Sequence, residues 1–115
     1  MADLTVTSRR EGPVGVLTVI GEARLENSDA IRTKGVALLQ TGAVHLLVDV
    51  RAMAFVDSAS IGLLLDVQKH IPSGGGRMIL VGPTERIRKI ISAMGLSGHI
   101  RTAPDEIAAR TQFLR

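Results

Sequence analysis

The chain has 115 residues, enough for one domain with one core and too few for two, so a single domain over residues 1–115 is expected. Apolar residues make up 45% of it, yet Phe occurs only twice and Tyr and Trp are absent, so the core is aliphatic and no aromatic platform for stacking bases is available. Fourteen basic residues against eleven acidic ones give a formal charge of +3 without a tight basic run, which indicates no direct nucleic-acid contact, and the lack of cysteine excludes disulfides, thiolate chemistry and cysteine metal sites.

The first residues, Met1 to Val6, hold no basic segment leading into an apolar one, and no apolar run approaches the ~20 residues that span a bilayer. A cytoplasmic protein without membrane insertion is expected. Leu4 to Thr7 alternates apolar with polar, and Val14 to Ile20 reads as a second strand after the turn Glu11-Gly12-Pro13, which together predict a hairpin. Gly21 breaks the pattern. A polar connection, Glu22 to Asn27, then leads to the cap candidates Asn27 and Ser28, and the spacing Ile31, Gly35, Leu38, Leu39 predicts a helix with one face on the sheet. Gly35 on that face costs about 1 kcal/mol of helix propensity against Ala, and close approach of the helix to its neighbours accounts for it.

Gly42 ends that helix, and Val44 to Val50 is predicted to be the central strand. After His45 it has no polar interruption before Asp49, as expected of a strand covered on both faces in a mainly parallel α/β sheet. A second helix follows, with Ile61, Leu64, Leu65 and Ile71 on the sheet side. Leu63 and Val67 fall on another face of it and are also apolar: either neighbouring chain covers them, or they form an exposed strip suited to docking a partner. Between strand and helix lies Asp57-Ser58-Ala59-Ser60, small oxygen-bearing side chains where a helix starts and its first N–H groups lack partners, so Asp57 or Ser58 is the N-cap on type and spacing alone.

Pro72 to Gly76 is a turn into the strand Met78 to Val81; its three glycines are not followed by Gly-Lys-Ser/Thr, and a strand follows them where a phosphate loop would need a helix. Gly82-Pro83 is expected to start the third helix, with Ile87, Ile90, Ile91 and Met94 buried, Arg86, Arg88 and Lys89 outward, and Gly95 as a left-handed stop on which Leu96 packs back against Ile91. Ile100 marks a short last strand. Thr102 to Glu106 opens a terminal helix with Ile107, Ala108, Thr111 and Leu114 inward.

Val48-Asp49-Val50, then Phe55-Val56-Asp57-Ser58 with Ile61-Gly62-Leu63-Leu64, then Arg77 to Pro83 after a glycine-rich turn, resemble the STAS domain. The similarity is to its small free-standing anti-sigma factor antagonists, whose hallmark is Asp-Ser-Ser/Thr-Gly-Leu-Gly ahead of a helix, and it runs in element order from about Val14 to Ile100. It implies the STAS fold, a mainly parallel mixed sheet of about five strands with about four helices. It further implies that Ser58, the first hydroxyl after Asp57, is phosphorylated by an anti-sigma factor with serine-kinase activity that uses ATP, and that a metal-dependent (PP2C-type) phosphatase reverses this. Only the unphosphorylated form would capture the anti-sigma factor and so release the sigma factor.

Three positions depart from the pattern. Ala59 replaces the second hydroxyl, Ser60 replaces a glycine and becomes a secondary acceptor, and Gly21-Glu22-Ala23-Arg24 stands where many antagonists have Gly-Glu-Leu-Asp, which puts Arg24 where it can pair with Asp57 or a phosphate. The expected phosphosite neighbours are thus Asp57, Ala59 and Arg24, and the expected partner surface is Ser58, Ser60, Leu63 and Val67. The alternative is a STAS subunit of an ABC-type lipid-transport or signalling complex without phosphorylation. Neither serine has a Gly-x-Ser-x-Gly frame or a histidine placed against it, and Asp66 with His70 is a lone i,i+4 pair, so no enzyme, cofactor or metal site is expected, and the oligomeric state is expected to be a monomer or weak dimer.

Overall fold

A computed structural model describes residues 3–114; Met1, Ala2 and Arg115, the ends of the expected domain, lie outside the described residues. In chain order the elements are β1 (Leu4–Glu11), β2 (Val14–Ala23), α1 (Asp29–Gln40), β3 (His45–Val56), α2 (Ser58–Lys69), β4 (Met78–Val81), α3 (Glu85–Ala93), β5 (Arg101–Ala103) and α4 (Glu106–Phe113). The five strands form one sheet in the order β1-β2-β3-β4-β5, with β1 antiparallel to β2 and every other pair parallel. This is the five-stranded mixed sheet with four helices that the resemblance implied.

Because the parallel strands follow one another in a single direction, right-handed crossovers place α1, α2 and α3 on the same face. There Ile31 and Leu38 of α1, Ile61, Leu64 and Val67 of α2, and Ile87 and Ile91 of α3 pack with Leu17, Leu46, Val48, Val50 and Leu80 of the strands. The chain turns back after β5, and α4 covers part of the other face, where Ala109 and Phe113 meet Val14, Val16, Leu47, Ile79 and Val81. Leu46, Leu47 and Val48 are all fully buried, as a strand sandwiched between helices requires.

Gly35 is where α1 and α2 touch. A Cβ built on it would lie 2.9 Å from Cγ1 of Val67 and 3.3 Å from Cδ1 of Leu17, so any larger residue would push α1 off both α2 and the sheet. At the end of α3, Gly95 has φ +73°. Its N–H donates to Ser92 O and that of Leu96 to Ile91 O, the paired bonds that close a helix through a left-handed residue.

Several boundaries differ from expectation. β3 runs on through Arg51 to Val56, because two register shifts against β2 absorb the break in alternation and keep Met53 and Val56 buried. α2 ends at Lys69, so Ile71 packs on the core from the following turn. Pro83 precedes α3, since Thr84 is the N-cap and its Oγ1 accepts from Ile87 N. Met94 is the C-cap of α3 and is exposed. Thr102 and Ala103 belong to β5, with Ile100 buried just ahead of it, and Asp105 caps α4 by accepting from Ala108 N. Starting there rotates α4 so that Ala109 and Phe113 face inward, while Ile107 and Leu114 are 80% and 88% exposed and Thr111 is exposed.

Candidate functional site

Asp57 is the N-cap of α2, with extended backbone at φ −100° and ψ 172°. Its Oδ1 accepts from Ser60 N at 2.9 Å and from Ser60 Oγ at 2.7 Å, and its Oδ2 accepts from Leu25 N at 2.8 Å. One carboxylate thus ties the loop after β2 to the first turn of α2. Partial burial pushes the Asp57 carboxyl up, but the Ser60 hydroxyl and N–H, the Leu25 N–H and the Arg24 charge outweigh it and hold it below its ordinary range.

Ser58 is the first residue of α2 and is exposed. The Asp57 N–H donates to Ala23 O and the Ser60 N–H to Asp57, which leaves the N–H groups of Ser58 and Ala59 with no acceptor inside the helix. With the positive end of the helix dipole behind them, they favour an anion at this position. Ala59 is half-buried.

Two expectations need correction. Ser60 is fully buried and its hydroxyl already donates to Asp57, so a kinase cannot reach it as an acceptor, nor can a partner touch it without opening the cap. Val67 is also fully buried, because α2 presents it to α1 at Gly35, and it drops out of the expected docking strip. Leu63 is half-buried and remains at the surface.

Arg24 does not pair with Asp57. Its Nη2 donates to Glu22 Oε1 at 2.8 Å, and its guanidinium lies 4.3 Å from the centroid of the Phe55 ring. The Arg86 guanidinium, from the first turn of α3, lies 5.2 Å from the same centroid. Asn27 shapes the turn before α1: its Oδ1 accepts from Arg24 N, and its Nδ2 donates to Glu22 O. Leu25, on that turn, is 68% exposed. Leu25, Phe55 and Arg86 therefore join Arg24 around the start of α2, a grouping that separate segments make and that sequence spacing does not reveal.

The histidines lie elsewhere. α2 has 12 residues and is about 18 Å long, and His70 caps its far end, where Nδ1 meets the Asp66 backbone carbonyl at 2.9 Å while the Asp66 carboxylate faces Lys69. That is a helix-end contact with no ligand geometry. His45, at the opposite end of β3 from Ser58, stacks on Phe113 at 4.5 Å and takes a hydrogen bond from Arg77 N on Nδ1; burial, and then the Arg77 charge, lower its pKa.

The family model described as STAS domain matches residues 5–109. The chain is 29% identical over 94 residues, 81% of its length and 80% of the relative's, to an anti-sigma F factor antagonist of Lysinibacillus sphaericus. Among solved structures it is similar to the anti-sigma factor antagonist SpoIIAA in its unphosphorylated form, at 25% identity and TM-score 0.72, covering 96% of this chain and 95% of that one. It is also similar in fold to the Bacillus cell fate determinant SpoIIAA in the phosphorylated form, at 24% identity and TM-score 0.71, covering 96% of this chain and 100% of that one.

Proposed function

We propose that this chain, which belongs to the STAS domain family, is an anti-sigma factor antagonist that works by partner switching. Unphosphorylated, it binds an anti-sigma factor with serine-kinase activity and so frees a sigma factor; phosphorylated on Ser58, it lets go. The kinase supplies the nucleotide, a metal-dependent phosphatase removes the phosphate, and the chain itself catalyses nothing. The observation that carries this reading is the state of Ser58: an exposed hydroxyl at the first position of α2, beside two uncommitted N–H groups, on a helix whose cap is made by a different residue.

The physics of such a switch is simple. A phosphate at a helix N-terminus suits the dipole and the free N–H groups, so phosphorylation leaves the fold in place. Up to two negative charges then stand beside Asp57, on a surface that the partner has to bury. An unpaired or like-charged group in an interface costs several kcal/mol, and about 4 kcal/mol is already a thousandfold in affinity.

The test uses the purified chain and its anti-sigma factor. Incubation with ATP is expected to add one phosphate, mapped to Ser58 by mass spectrometry, and none to the Ser58→Ala variant. Ser58→Asp is expected to lose capture of the anti-sigma factor with an unchanged circular dichroism spectrum and melting temperature. Capture that persists in Ser58→Asp, or a phosphate mapped to another residue, overturns the proposal.

A further inference from the structure

α4 is lightly attached: of its residues only Ala109 is fully buried, and its exposed ion pairs to Glu11 of β1 and Arg51 of β3 contribute little each. Its C-terminal end is held by a cluster at the entrances of β3 and β4. The last residue of the helix, Phe113, stacks its ring on that of His45, with centroids 4.5 Å apart and planes 14° from parallel. One residue earlier, the Gln112 carbonyl oxygen accepts from Arg77 Nη1 at 2.6 Å, and Gln112 Nε2 donates to Thr102 O at 3.3 Å.

His45 also completes the hydrogen bonding between β3 and β4. The Leu46 N–H donates to Arg77 O at 2.9 Å, but the Arg77 N–H, one step ahead of the first paired residues Leu46 and Met78, donates to His45 Nδ1 at 3.1 Å. The imidazole stands in for a backbone carbonyl. A nitrogen that accepts carries no proton, so the ring is neutral with its hydrogen on Nε2, and a second proton has to go onto the atom that faces the Arg77 N–H. Protonation therefore breaks this bond. The Phe113 ring face attracts a cation weakly, whereas partial burial, and then the like charge of Arg77, oppose one and hold the His45 pKa below its ordinary value. Pro13, Val14 and the turn from Pro72 to Gly76 bring no charged side chain to the ring, and the charge that α4 brings, Arg110, is paired with Glu11.

We infer that His45 is an acid-sensitive latch for α4: neutral, it holds the C-terminal end of the helix on the sheet, and protonated, it releases that end and uncovers Val14, Val16 and Leu47 beneath. The sign follows from linkage. The docked state holds the proton less tightly than the free imidazole, so the latch is at full strength above about pH 6.5 and weakens as pH falls below it. Its onset lies above that of Glu11 and Asp49, since free carboxyls begin to take up protons only near pH ~4. The latch sits at the opposite end of β3 from Ser58 and does not depend on the phosphorylation proposed there.

The test is an NMR pH titration of the full chain from about pH 8 to about pH 4, which reads the His45 ring, the Phe113 ring and amide hydrogen exchange corrected for its intrinsic pH dependence. His45 is expected to titrate below the free value of about 6.5, and the Phe113 ring to shift with the same midpoint. Across that step, exchange at the Arg77 and Phe113 amides is expected to rise roughly tenfold, the fold-change for one lost hydrogen bond, while the Ile61 and Leu64 amides keep their protection. In His45→Asn the side-chain Oδ1 offers a similar acceptor that does not titrate, so α4 is expected to stay docked and the step to vanish. A His45 midpoint at or above about 6.5, a ring that stays neutral until the carboxylates titrate, Arg77 or Phe113 signals that ignore the His45 titration, or a step that survives in His45→Asn would each overturn the inference.

Discussion

Over one face of the sheet three helices bury Ile31, Leu38, Ile61, Leu64, Val67, Ile87 and Ile91 against the strands, whereas over the other a single helix buries Ala109 and sets Phe113 against His45. The second face is also held by a chain of charges that runs from Arg9 through Glu11, Arg110, Glu106 and Arg51, all at least partly exposed, to the more buried Asp49. Such pairs contribute little each, because water and salt screen them. The helix that carries Ser58 belongs to the first face. The proposed switch calls for a surface that changes its charge without changing its shape, and α2 is wedged between α1 and the sheet by Val67, Ile61 and Leu64.

The largest expected effect separates the faces directly. Leu64→Ala removes a side chain that is 1% exposed, and truncations of this kind cost about 2–5 kcal/mol through lost burial and the cavity left behind. A fall in Tm of roughly 10 °C is expected for a chain of this size, measured by circular dichroism or calorimetry. A loss below about 1 kcal/mol would show that the α2 face is no better packed than the α4 face.

Next in size is Asp57→Ala, which removes the cap of α2 and the link to Leu25 together. Loss of an N-cap costs about 0.5–2 kcal/mol, read as a shift in the urea midpoint at pH 7. Because the folded Asp57 carboxyl lies below its ordinary value, its contribution is complete above the unfolded pKa and disappears as pH falls through the folded one. The stability gap between wild type and Asp57→Ala is therefore expected to close in acid. A gap that stays constant to low pH would mean that the ionised carboxylate is not what holds the loop after β2 to α2.

The element order and the start of α2 were legible in the residues, since Leu46 to Val48 is uninterrupted and Asp57-Ser58 stands where apolar spacing changes from strand to helix. The left-handed stop at Gly95 was legible too, because glycine, position and Leu96 agree. What escaped depends on tertiary placement. Periodicity leaves the cover of Val67 open, because nothing in one helix's spacing tells that Gly35 of another admits it. Residues 51–56 lost their alternation to bulges, which local pattern cannot distinguish from a loop. Arg24 from the loop after β2, Phe55 of β3 and Arg86 of α3 meet in a way that no sequence motif announces. The proposed role of Ser58 rests on resemblance, whereas spacing alone indicates the cap.

The charged network on the α4 face offers a smaller and more selective test. The hydrogen bonds from Arg9 and Arg110 hold the Glu11 carboxyl below its ordinary range, and the hydrogen bonds from Arg51 do the same for Asp49 against partial burial. Both contribute stability only where they are ionised, so α4 is expected to loosen as pH falls through their folded pKa values, and also in high salt at pH 7. The Phe113 ring and Ala109 methyl resonances should then shift before those of Leu64 and Ile61. Simultaneous movement of both sets would mean that the faces melt as one unit and that the charges do not hold α4 separately.

The smallest effect is the most discriminating for α4, because it opposes the periodicity of the sequence to the placement of the cap. Apolar spacing assigns Ile107 and Leu114 inward, but Asp105 caps the helix at Ala108 and leaves Ile107 80% exposed, with Ala109 on the buried side. Replacing an exposed isoleucine with alanine removes no packing and adds a few tenths of a kcal/mol of helix propensity, so Ile107→Ala is expected to leave Tm within a degree or two or to raise it slightly. Ala109→Leu, in contrast, forces three extra carbons between α4 and Val14, Val16 and Leu47, and overpacking of this kind costs about 1–3 kcal/mol. If the two variants exchanged their effects, α4 would be turned on its axis and the spacing would have been right. A cost for Ile107→Ala that grows with protein concentration would instead put Ile107 in a contact between two copies of the chain, so dilution separates a rotated helix from a dimer.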